Sequence, residues 1–413
     1  MRTILFLILL ISFSSSAFTQ PCTENGGIDK IPGKFVEQKT NQIGGNSYCE
    51  TGTGNATALK TLKAIQAIVA KNFWGDGTVA KGFFSGNGGE YFNDAFLASY
   101  MYKVGFYGLL CRDSKLITAH EYGTDLTIAI NPGYPAGENI ISSRNSDGRG
   151  FQIPGTQKDR SNEIPLFRYL IFRNKDEVDK INNGTGYYEG PRRPSSAYDK
   201  NPDITRYWFL TPPGKNVLVP VTRKEFLYSL LEFYEKELPQ HIKEMNRLIK
   251  INGETLAQYE RDKDKDAKSR KNYEEFKKWV AKHRSDSAHY QESYVIKKNK
   301  VNAILKSNSP DWLNEPAVAT EKQVDQGYCR CESRTDFEES GCYTFNKFAE
   351  DGNGITIYKW NPEIFKPQNS CNPVFIRVSL RYKFDIGFSE KIRDHYTNKL
   401  DFAALRKLLV PSK

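Results

Sequence analysis

Cys111 and His120 are the residues whose types and spacing most resemble a nucleophile and its base. A thiolate attacks a carbonyl carbon once an imidazole has taken its proton, so the chemistry would be acyl transfer. Arg112-Asp113-Ser114 reads as a turn, which places the two residues on either side of one turn. The chain has only five histidines, at 120, 241, 283, 289 and 395, and His120-Glu121 stands without a second metal ligand. Cys329 and Cys331 form a Cys-x-Cys pair, but the spacing that follows fits no zinc pattern and no histidine lies nearby. Asp262, Asp264 and Asp266 begin like a calcium loop. Its sixth position is Ala267 where the sharp turn needs glycine, and its twelfth is Tyr273 where a glutamate should close it. There is no Gly-x-Ser-x-Gly elbow, no His-Glu-x-x-His and no phosphate-binding glycine loop ahead of a helix. We therefore expect no metal and no cofactor. Dispersed carboxylate pairs for glycoside hydrolysis stay open, because they need not be close in sequence.

The stretch VPVTRKEFLYSLLEFY, residues 219–234, looks like a signature. Each part has a task in starting a helix. Thr222 is an N-cap and Glu225, three residues on, can reach back to its N–H, which makes a capping box. Val221 and Phe226 form the hydrophobic staple around it. Leu227, Leu230, Leu231, Tyr234 and Leu238 then share one apolar stripe.

That helix opens a long charged region. Ile242, Met245, Ile249, Leu256 and Tyr259 extend its seam, and Pro239 should kink or briefly break it. Arg261–Lys271 has no apolar face, and periodicity resumes at Tyr273, Phe276, Val280, His283, Tyr290, Tyr294, Val301 and Ile304. The economical solution is an antiparallel helical hairpin, read as a short coiled coil, that turns near Asp262–Ala267 and projects from a sheet.

Sheet dominates on both sides of this hairpin. Ala58–Asn72 reads as an amphipathic helix, followed by the glycine-punctuated WGDGTVAKGFFSGNGGEYF, taken as turns. Alternation marks strands at Tyr100–Leu110, in TDLTIAIN, PLFRYLIF and RYWFL, and in NVLVP as the partner of RYWFL after a Pro213-Gly214 turn. Residues 132–165 and 174–203 read as long loops. GITIYKW and PVFIRVSLRYKF follow the hairpin; the second sets Arg377, Ser379, Arg381 and Lys383 on a face we expect to meet solvent. Asp401 caps a closing helix. The fold class is α+β, divided into an N-terminal α+β sheet domain (20–220), the hairpin (221–308) and a C-terminal β-rich region (309–413). Alternatively the hairpin is an insertion between strands of one larger sheet.

Residues 1–19 read as a secretory signal peptide: Arg2, an apolar run from Ile4 to Ile11 too short to span a bilayer, then small residues. No later segment is long and apolar enough to span. Export makes disulfides the default for Cys22, Cys49, Cys329, Cys331, Cys342 and Cys371, with Cys22–Cys49 as one candidate bridge; seven cysteines in all leave at least one unpaired within the chain. Cys22 also invites a lipid anchor, although Thr19-Gln20-Pro21 is a poor attachment signal. The net charge of +10 suits acidic polysaccharide or lipid headgroups, or is a solvated mixed surface, and an exported chain is a poor candidate for nucleic acid.

From YWFLTPPGKNVLVPVTRKEFL through ILKSNSPDWLNEPAVA to YKWNPEIF and KLDFAALRKLL, the chain resembles a group of exported bacterial proteins of unknown function. Pro220–Leu227, Asn361-Pro362 and Asp401–Leu405 carry the likeness, which covers roughly the last half and implies no activity. The expected function is an exported, soluble envelope protein that binds a protein or glycan partner without catalysis. The alternative is an envelope hydrolase that acts on polysaccharide or peptide through dispersed carboxylates.

Overall fold

The computed structural model describes residues 28–37, 52–73, 75–92, 95–119, 123–133, 138–139, 169–190, 192, 202–320, 345, 347–350, 354–366 and 371–410. The leader at 1–19, His120 and the cysteines at 22, 49, 329, 331 and 342 lie outside them. A short 3-10 turn (Ile28–Lys30) precedes β1 (Lys34–Glu37) and α1 (Gly52–Lys71). The long strands β2 (Thr78–Phe92) and β3 (Ala95–Arg112) follow, then β4 (Lys115–Thr118), β5 (Thr124–Ile130), β6 (Glu138–Asn139) and β7 (Leu170–Ile171). Next come α2 (Lys175–Asn183), β8 (Tyr188–Glu189), β9 (Asp203–Leu210) and β10 (Leu218–Pro220). The hairpin is α3 (Arg223–Asp262) and α4 (Ala267–Ser307). The chain closes with α5 (Pro310–Asn314), β11 (Val318–Ala319), β12 (Ile355–Trp360), β13 (Ile376–Lys383), α6 (Gly387–Lys399) and α7 (Phe402–Arg406).

The α+β class holds, with mostly antiparallel sheets. The larger sheet runs β1-β2-β3-β5-β13-β9-β8, with β4 beside β3. β13, from the C-terminal part, lies between β5 and β9 from the N-terminal part. The smaller sheet, β10-β12-β7-β6 with β11 beside β12, likewise mixes the two. Segments 20–220 and 309–413 thus share both sheets, and the hairpin is inserted between them, as in the alternative arrangement.

Side-chain alternation sorts the chain into layers. On β9 and β13, Trp208, Leu210, Ile376, Val378 and Leu380 join α1, α6 and α7 in one core. Phe209 and Phe375 point to the other face, stack with centroids 6.2 Å apart, and meet Trp360, Leu218 and Leu170 of the smaller sheet. Ile171 and Ile357 face away from that contact and pack with Phe226, Leu227 and Leu230 of α3. The smaller sheet is therefore sandwiched between the larger sheet and the root of the hairpin.

Several local expectations need correction. The glycine-rich stretch, 74–92, contains the whole of β2 where turns were expected; at Gly82 a Cβ would strike the Tyr102 hydroxyl, so glycine allows that close approach. Residues 174–203 contain α2, capped by Asn174 at its start and by Gly184 in the left-handed region (φ 61°) at its end. NVLVP does not pair with RYWFL: β10 lies beside β12, while β9 pairs with β13 and β8. Of PLFRYLIF the described residues are 169–172, and among them Leu170–Ile171 is strand. α3 continues through Pro239 without a break. The polar face of β13 is half-buried and not simply solvent-facing: burial lowers the Arg377 pKa, and Asp125 pairs with Arg381.

The hairpin turns where the charge pattern places it. Asp266 caps α4 through the N–H of Ser269 at 2.6 Å. Glu235 bridges to Lys298 at 3.0 Å and the Tyr273 hydroxyl donates to Glu260 at 3.5 Å, which fixes the antiparallel register. Near the root Tyr234 and Tyr294 pack edge to face, and the buried Lys297 ammonium lies 4.6 Å from the Tyr294 ring.

Candidate functional site

Thr222 occupies an N-cap with extended backbone, and its hydroxyl accepts from the N–H of Glu225 at 3.2 Å. Glu225 returns the bond by accepting the N–H of Thr222 at 3.0 Å. Val221 and Phe226 are fully buried beside it, so the capping box and staple are present as read. Arg223 is structural too: it pairs with Glu315 at 2.7 Å and lies 4.4 Å over the Trp312 ring, which fastens α5 to the helix start.

The signature has a second role that the helix-start reading missed. Lys224, Glu225, Tyr228, Ser229 and Glu232 form one wall of a cleft of about 1060 Å³ at the root of the hairpin. Lys224, Tyr228 and Glu232 recur every four residues and so share a helix face. The opposite wall comes from Tyr169, the strand β10, Lys359 and Asn361-Pro362-Glu363, with Asn314 at the end of α5. Pro220, Thr222, Lys224 and Glu225 thus line the same cleft as Asn361-Pro362. Their distance in sequence hid this; the signal was the polar, aromatic four-residue repeat on the helix start.

Pairing of β10 with β12 sets Lys359 opposite Val219, just before the helix start. From there the Lys359 ammonium donates to the Glu225 carboxylate in a very short contact. Burial pushes the Glu225 pKa up, but Lys359 and the Thr222 N–H together outweigh it and hold the carboxyl below its ordinary range. Asn361 is braced on both sides: its amide donates to the Asn216 carbonyl at 2.7 Å and its oxygen accepts the Glu363 N–H at 2.9 Å. Glu363 pairs at the rim with Lys215, 3.5 Å away. On the floor, Ser229 donates to the Glu225 carbonyl at 2.9 Å, so the Tyr169 hydroxyl donates to Ser229 at 2.8 Å. Burial first, and then the Glu225 and Glu232 carboxylates nearby, push the Tyr169 pKa up to about 12.

No family model, no curated protein and no solved structure matches this chain. The cleft must therefore be interpreted from its own geometry. Two of its carboxylates are paired with ammonium groups, its lining mixes donors with acceptors, and Tyr228 is 54% exposed beside it. Such a surface can bind a polar ligand of little net charge and stack against an apolar ligand face.

The other sequence candidates lie elsewhere. Cys111, at the end of β3, is disulfide-bonded, although it was left out of the expected set; a half-cystine offers no thiolate, so the Cys111–His120 nucleophile does not stand. Cys371 is buried and also disulfide-bonded. Asp262, Asp264 and Asp266 are engaged at the hairpin turn by Lys265, Arg270 and the Ser269 N–H. His395 bonds the Asn72 carbonyl at 2.7 Å and ties α6 to the end of α1. No group of three or more metal-ligating residues occurs among the described residues.

Proposed function

We propose that this chain is an exported envelope protein that binds a glycan in the cleft at the root of its hairpin. The carrying observation is the cleft itself: charges paired within its walls, hydrogen-bonding groups of both kinds, and an exposed tyrosine ring. A sugar presents hydroxyls that both donate and accept, and C–H faces that rest on an aromatic ring. The volume of about 1060 Å³ lies at the upper end of the usual range for small-molecule sites, which favours several linked units over one. The test is calorimetric titration of the purified mature protein with a panel of neutral and acidic oligosaccharides. Tyr228→Ala serves as the cleft-blind control.

Three carboxylates in one cleft, Glu225, Glu232 and Glu363, keep hydrolysis as a second reading. A glycosidase needs a carboxyl that stays protonated to act as acid. Lys359 and the Thr222 N–H hold Glu225 below its ordinary range, the wrong direction for that role. This supports binding over cleavage. Release of reducing ends from the same oligosaccharides, lost in Glu232→Gln, would reverse the preference.

A further inference from the structure

Past its root the hairpin is electrically lopsided. Tyr259 packs edge-on against Phe276 and the Tyr273 hydroxyl donates to Glu260, so residues 250–262 of α3 lie beside 267–284 of α4. The α4 stretch carries seven Lys or Arg side chains against Glu274 and Glu275, while the α3 stretch carries Lys250 and Arg261 against three carboxylates. In α4, Tyr273 and Val280 are buried in the seam. At about 100° per residue, Lys268, Lys271, Lys278 and Lys282 fall within roughly 80° of arc on the opposite side, so they point away from α3 along about 21 Å of helix. All four are exposed.

Their charge is not neutralised within the protein. Nearer the turn, Lys265 and Arg270 are held by Asp262 and Asp264. Lys271 has Glu275 at 3.8 Å, in a solvent-exposed pair of little strength. Among the described residues, no carboxylate pairs with Lys268, Lys278 or Lys282. Trp279 borders the row, about 20° of arc from Lys268, and is 43% exposed. Phe276 backs it at 5.2 Å and Tyr259 backs Phe276 at 5.2 Å, so an aromatic wedge runs out from the seam and holds the indole at the surface.

A half-exposed indole beside unpaired ammonium groups calls for a partner with negative charge at its surface and an apolar layer just beneath. We propose that this face of α4 docks the protein onto a bilayer surface rich in anionic lipid. The lysines meet the lipid phosphates, and the indole sits at headgroup level, where tryptophan is favoured. A straight row on the outside of a helix can meet a flat surface along its whole length, while the mixed charge of α3 gives that helix no such attraction. A soluble polyanion would satisfy the lysines but has no apolar layer for the indole to enter. The contact is peripheral, reversible and screened by salt. It uses no group of the cleft, so its failure would leave the glycan reading untouched.

The experiment is co-sedimentation of the purified protein with vesicles of equal parts phosphatidylcholine and phosphatidylglycerol, and with vesicles of phosphatidylcholine alone. Wild type should bind the first and not the second, and binding should fall as salt is raised. Lys268→Gln, Lys278→Gln and Lys282→Gln together should weaken it roughly a hundredfold, about fivefold per ammonium group. A matched control, Lys60→Gln, Lys63→Gln and Lys115→Gln together, removes the same charge from exposed lysines of α1 and β4 and should bind like wild type. On saturating anionic vesicles the tryptophan emission should shift to the blue in wild type and not in Trp279→Ala. No binding to the anionic vesicles, equal binding to the neutral ones, equal loss in both triple variants, or a blue shift that survives in Trp279→Ala would overturn the proposal. Binding to polyphosphate in solution but to neither vesicle would assign the row to a soluble polyanion instead. Should a triple variant not fold, the salt and emission measurements on wild type and Trp279→Ala still decide the matter.

Discussion

Lys359 on β12 donates to Glu225 in the first turn of α3, and this contact closes the base of the cleft. The two residues are far apart in sequence. One belongs to the strand sandwiched between the larger sheet and the hairpin, the other to the helix start. The carboxylate that completes the capping box therefore also locks the helix onto the sheet, so cleft shape and hairpin root are set by the same residue.

Thr222→Ala removes the cap hydroxyl while leaving the cleft's charged groups in place. It should cost about 1 kcal/mol, measured as a shift in the denaturation midpoint at constant slope. Thr222→Ser should recover most of that loss. An unchanged midpoint in the alanine variant would show that the staple and the Glu225–Lys359 contact suffice to start the helix.

Glu225→Gln keeps the reach-back to the Thr222 N–H but removes the charge that faces Lys359. The folded-state pKa of Glu225 is depressed, so its ionised form stabilises the fold above the unfolded pKa, and that stabilisation is lost as pH falls through the folded value. Both side chains are partly exposed, so the deficit at pH 7 should stay within about 1 kcal/mol. Thermal melts of the two proteins should converge as pH drops below about 4. A gap that grows in acid would contradict the assigned direction.

The hairpin beyond Tyr234 and Tyr294 contributes little to the core at its root. Replacing residues 250–283 with a short turn should therefore leave a cooperative melt and unchanged ligand affinity at the cleft. If the shortened protein folds but no longer binds, the arm itself takes part in recognition.

Much of the fold was legible because local chemistry and tertiary packing agree. The Thr222–Glu225 box, the turn at Asp262–Ala267, the cap at Asp401 and the alternation in β13 all stand where the residues put them. Glycine misled where it serves close packing: Gly82 reads as a turn residue but makes room for Tyr102 inside a strand. Strand partners were illegible because alternation gives a strand two faces but names no neighbour, so the pairing of β10 with β12 was missed. The cleft was half legible. Lys224, Tyr228 and Glu232 share a face by spacing alone, but only the sheet brings Lys359 and Asn361 against them.

The most direct test of the glycan-binding cleft is calorimetric titration of wild type and Tyr228→Ala with an oligosaccharide panel. Tyr228 is exposed, so its truncation should leave the melting temperature within about 1 °C while removing roughly 1–2 kcal/mol of binding free energy, about 5- to 30-fold in affinity. Equal affinity of the two proteins, or no binding by wild type to any member of the panel, would contradict the assignment of this cleft as a glycan site.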